Sequence, residues 1–169
     1  CWPLYRLFNE KTYTMQWVEQ HNWIPQWHVH YTLGVDGIAL PLIILTVFTY
    51  FIIMLSSWHL VKEKVAQYIS VFLIMQGMVI GIFAAQDALL FYLFWEGMLI
   101  PMYLCIGIWG GHQRSYAAIK FFLFTFAGST LLLISLIYLG LKANSFLISD
   151  FYHLHLTSHE QILICLGLF

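Results

Sequence analysis

One carboxylate stands in an otherwise uncharged apolar run. It is Glu96, within residues 91–110 (FYLFWEGMLIPMYLCIGIWG), and Pro101 follows five residues later. A charge at bilayer depth costs from a few to ~10 kcal/mol, so an acid kept there marks a site of function. Pro101 has no N–H, so the carbonyl of Gly97 loses its usual helical donor. A carboxylate beside a freed backbone acceptor is the arrangement from which membrane proteins build proton and ion sites. Desolvation favours the neutral acid there and a nearby cation favours the carboxylate, so a movable cation would drive proton uptake and release. A second candidate, weaker, is Lys120. At 1.5 Å per residue it lies ~5 Å inside its expected helix, where its stem can reach water. Glu96 lies ~12 Å from the outer start of its own helix, which leaves the two groups ~15 Å apart in height. Lys120 therefore reads as a residue where protons enter from the inner side, and not as the ion-pair partner of Glu96.

The elements that must position these groups follow from composition. The chain has 169 residues, 61% hydrophobic and 9% charged, with a mean hydropathy of +0.78. An ordinary soluble domain carries about 25% charged residues, so the expectation is an all-α, polytopic membrane helix bundle. Helices are expected at about 38–57, 67–85, 88–109 and 117–141, with a further helix from about 161 that is cut off. Asp36 precedes the first helix and suits its N-terminus, and Pro41 falls in the first turn, where a missing N–H does little harm. Gly77 and Gly81 have the spacing that lets helices approach closely. The two-residue link Gln86-Asp87 forces its flanking helices to be antiparallel neighbours.

Residues 1–37 read as an outer-side loop region of short strands or turns, with alternation over 27–33 and tryptophans suited to a membrane interface. His28 and His30 would share one face of a strand, but no third ligand accompanies them. Residues 142–160 read as an exposed polar connection. Cys1, Cys105 and Cys165 follow no metal or disulfide spacing. No metal or cofactor site is expected, and a net charge of −1 gives no pointer to nucleic acid. Lys62, Lys64 and Arg114 lie in the 58–66 and 110–116 loops, which the positive-inside rule places on the cytoplasmic or matrix side. The chain begins at Cys1 and ends inside an apolar run, so it reads as an internal piece of a longer polypeptide.

Three runs carry a resemblance: LGVDGIALPLIILT (33–46), WEGMLIPMYLCIGIWGG (95–111) and AAIKFFLFTFAGS (117–129). In this order and spacing they resemble the M-subunit family of proton-pumping NADH-quinone oxidoreductase, respiratory complex I, over residues 23–141. The resemblance implies an antiporter-like fold with inverted repeats and broken helices. It implies that Glu96 belongs to the proton channel, paired in the family with a lysine on the following broken helix, which this chain does not reach. Lys120 matches a lysine common in bacterial members. NADH, FMN, iron–sulfur clusters and quinone would be bound by other subunits, and this sequence has neither a cysteine cluster nor a Gly-rich nucleotide loop. The implied partners are other membrane-arm subunits and the lipid bilayer, and the implied location is a bacterial inner membrane, ahead of a mitochondrial inner membrane. The alternative is a subunit of a multisubunit sodium/proton antiporter or of a membrane-bound hydrogenase.

Overall fold

A computed structural model describes residues 8, 15–27, 29–59 and 61–168. Two strands, β1 (Gln16–Ile24) and β2 (Val29–Val35), precede six helices: α1 (Ala39–Ser57), α2 (Val65–Ala84), α3 (Ala88–Trp109), α4 (Arg114–Ala143), the short α5 (Ile148–Phe151) and α6 (Ser158–Leu168). The first four helices are long and apolar enough to cross a membrane. Their outer faces present large apolar side chains such as Phe51, Leu123 and Phe124 to the surroundings, as lipid contact requires. β1 and β2 pair antiparallel through a 3-10 turn at Pro25–Trp27. This hairpin adds a small sheet to a chain expected to be all helical, inside the stretch expected to hold short strands. The expected alternation starts two residues early, because Trp27 belongs to the turn. His28 of the H-x-H pair lies outside the described residues.

Local chemistry explains the helix ends. Asp36 accepts from the backbone N–H groups of Ile38 (3.1 Å) and Ala39 (2.5 Å), satisfying two donors that a helix N-terminus leaves free. Asp87 caps α3 in the same way through Leu89 and Leu90. α4 is longer than the expected 117–141 at both ends, and charged side chains are the reason. The guanidinium of Arg114 donates to the Ile108 carbonyl at 2.6 Å, closing the C-terminal turn of α3. Lys142 sits in the last turn of α4, where a cation complements the helix dipole. Asn144 then ends the helix in the left-handed conformation, with φ 54°. α3 runs unbroken through Pro101, so the freed Gly97 carbonyl sits inside a continuous helix and not at a break.

Packing sets the rotation of α3. It lies between α2 and α4, while α1 packs on α2 and α6 on α4. A Cβ on Gly81 would meet the Phe94 ring at 2.8 Å, and one on Gly97 would meet the Met78 sulfur at 3.3 Å. Gly77 has open space around it, so only the second glycine of the pair makes a close approach. With Phe94 and Gly97 turned to α2, the 100° step per residue turns Glu96 toward α4.

At the end of the bundle that holds the hairpin, three segments join. The N–H of Gln86 donates to the Thr32 carbonyl, that of Ala88 to Phe146, and that of Ile148 to Gln86. Asp87 lies at the centre, fully buried. It ties α3 to β2 by accepting from the His30 N–H at 3.1 Å.

Candidate functional site

Glu96 sits eight residues into α3, ~12 Å along the helix from the junction. It is half-buried in the seam with α4. The Tyr92 hydroxyl, one turn earlier on the same face, donates to Glu96 Oε1 at 2.7 Å. The Ser129 hydroxyl of α4 donates to the same oxygen. Ser129 is itself buried. Its Oγ also lies 3.0 Å from the Phe126 carbonyl, yet a serine carries one hydroxyl hydrogen. That hydrogen has two acceptors within reach, and it can occupy one at a time. When Glu96 is ionised it takes the hydrogen. When Glu96 is protonated, Glu96 can donate to Oγ while the serine hydrogen turns to Phe126. The hydroxyls around Oε1 can therefore meet the carboxyl either as donors or, at Ser129, as an acceptor.

Residues three and four away from Glu96 share its helix face: of these, Tyr92 is its direct partner and Leu99 is buried, while Leu93 and Ile100 are turned outward and exposed. Lys120 is not brought to Glu96. It is exposed on α4 with its Nζ 5.9 Å from the Tyr116 ring centre, and the nine residues to Ser129 correspond to ~13 Å of helix. Ser129 was not picked out by sequence as a site residue, appearing only as the last residue of the 117–129 run. Its signal was a hydroxyl in an apolar helix opposite a lone acid. Gln76 of α2, half-buried, has no hydrogen-bond partner among the described residues. Among the described residues, no three His, Cys, Asp or Glu converge as a metal site would require.

A groove of about 360 Å³ opens beside Ser129. Trp95 of α3, Thr125 and Gly128 of α4 and Gly167 of α6 line it.

Comparison with known proteins covers nearly the whole chain. Residues 85–169 match the family described as NADH:quinone oxidoreductase/Mrp antiporter, TM, and residues 5–84 match NADH-ubiquinone oxidoreductase chain 4, amino terminus. NADH-quinone oxidoreductase subunit M of Rickettsia typhi is 43% identical over 139 residues, covering 82% of this chain and 28% of that one. The subunit M of Rhodobacter capsulatus is 47% identical over 131 residues, 78% of this chain and 25% of that one. Chain 4 of the chloroplastic NAD(P)H-quinone oxidoreductase of Adiantum capillus-veneris is 40% identical over 157 residues, 91% of this chain and 31% of that one. Among solved structures, a chain of respiratory complex I from Thermus thermophilus with bound NADH superposes with a TM-score of 0.77 at 29% identity, covering 89% of this chain and 32% of that one. The chain thus spans between a quarter and a third of the length of these relatives.

Proposed function

The chain belongs to the NADH:quinone oxidoreductase/Mrp antiporter transmembrane family, and from that premise we propose that it is part of a proton-translocating membrane-arm subunit of NADH-quinone oxidoreductase. The subunit is multi-pass in a bacterial inner membrane, assembled with the other membrane-arm subunits. NADH oxidation, the flavin and iron–sulfur steps and quinone reduction take place in other subunits of that assembly. The bacterial relatives named as subunit M and the chain 4 match at residues 5–84 support this over a sodium/proton antiporter.

The observation that carries the reading is the Glu96 cage. A lone carboxyl in the seam of two apolar helices is held by hydroxyls, which donate and accept. Glu96 takes and releases the proton. Ser129 follows it by turning its hydrogen between Glu96 and Phe126. Tyr92 keeps the carboxyl aimed at α4. Lys120, at the far end of α4, is where protons enter from the inner side.

The test is redox-driven proton uptake in membrane vesicles, normalised to assembled complex, in the full-length protein. Glu96→Gln keeps volume and hydrogen bonding but removes the titration, so assembly should persist and proton uptake should fall strongly. Wild-type uptake in Glu96→Gln would overturn the assignment.

A further inference from the structure

The carboxylate of Glu160, in the first turn of α6, is the meeting point of three donors that make four contacts. Lys142 Nζ approaches both of its oxygens at 2.7 Å. The Tyr138 hydroxyl donates to Oε1 at 2.5 Å, and the Thr157 backbone N–H to Oε2 at 2.7 Å. Thr157 is the residue ahead of α6 and Glu160 the third within it, so the last contact is half of a capping box. Lys142 and Tyr138 belong to the final turns of α4. One carboxylate therefore starts α6 and fastens it to α4.

Seven residues on, α6 meets α4 again. A Cβ on Gly167 would overlap the Ser135 hydroxyl and lie 3.1 Å from the Leu131 carbonyl. Glycine gives the closest fit there; a side chain would turn the Ser135 hydroxyl aside and displace its neighbours by a few tenths of an ångström. Gly167 also lines the groove beside Ser129. The helix is thus held at its head by charge and at its foot by a close backbone contact, and its foot stands at the wall of the Glu96–Ser129 site.

We propose that Glu160 is a positioning residue: with Lys142 and Tyr138 it forms a latch that sets the depth of α6 on α4, and through it the wall of the groove beside Ser129. Loss of the latch lets α6 slide along α4, and an apolar seam offers little to resist a sliding motion. The functional half of this inference rests on the proton-site reading of Glu96; the structural half does not.

The test separates the two. In the assembled complex, with Cys1, Cys105 and Cys165 changed to serine, Ser135→Cys and Gly167→Cys place two thiols across the seam. A Cβ on Gly167 would lie 3.3 Å from Ser135 Cβ, close to the separation a disulfide spans. Oxidation should close the bridge rapidly. Adding Lys142→Met or Glu160→Gln should slow closure several-fold, whereas Lys142→Arg, which keeps the pair, should not. In the native cysteine background, the same two latch variants should lower proton uptake while leaving the amount of assembled complex unchanged. A parent protein that forms no bridge, or equal closure rates in all variants, overturns the latch. Slowed closure with undiminished uptake overturns its link to the site. Slowed closure in a complex whose Glu96→Gln variant pumps normally sinks the proton reading and leaves the latch standing.

Discussion

Asp87 and Glu96 stand nine residues apart in one stretch of chain, and their partners differ in kind. Asp87 is fully buried and receives three backbone N–H groups, from Leu89 at 2.9 Å, Leu90 at 3.3 Å and His30 at 3.1 Å. Burial pushes its carboxyl up from the ordinary value, and these amides oppose the shift. A backbone N–H can only donate, so a proton placed on Asp87 would face donors and break the cage. Glu96 receives two hydroxyls instead. A hydroxyl donates or accepts, so its cage survives a change of protonation. The two cages therefore suit different roles: amides hold a fixed acceptor, and hydroxyls suit the proton exchange proposed for Glu96.

Three experiments bear on that contrast, beyond the Glu96→Gln measurement. The largest effect should come from Asp87→Ala. It removes a helix cap and leaves the half-buried His30 N–H unpaired, costing about 2–4 kcal/mol in all. The readout is the yield of assembled complex and its resistance to heat, both of which should fall. Normal assembly in Asp87→Ala would break the comparison, because a structural role would then be missing where the amides predict one. Ser129→Ala comes next. It removes the hydroxyl that bonds the Glu96 carboxyl, so proton uptake should fall about tenfold. Ser129→Thr, which keeps the hydroxyl, should recover most of it. Full activity in Ser129→Ala would show that Glu96 does not need a two-way partner. Lys120→Ala should be the mildest, since water can replace an exposed ammonium. A greater loss of uptake than in Glu96→Gln would reverse the two roles.

Much of this was legible in the chain. The bounds of α3 followed from an apolar run that begins after Asp87 and ends at Trp109. Glu96 stood out as its one charge, and Asp36 was readable as the cap of α1. The latch also had a written signal in Thr157-x-x-Glu160, a capping-box spelling, which is hidden by reading 142–160 as a plain loop. Arg114 and Lys142 misled for a related reason. Charges beside an apolar run look like loop, but each side chain satisfies a partner that only folding supplies, the Ile108 carbonyl for one and Glu160 for the other.

The sequence by itself determined that four apolar segments span a membrane and that one of them carries a lone acid, because length and hydropathy are properties of each segment alone. Tertiary structure decided which hydroxyls that acid meets. A helix that is apolar all round has no face marked for its neighbours. The rotation of α3 is set instead by where backbones can approach, at Gly81 against Phe94 and Gly97 against Met78. Those contacts, absent from any pattern of residue types, turn Glu96 to Ser129.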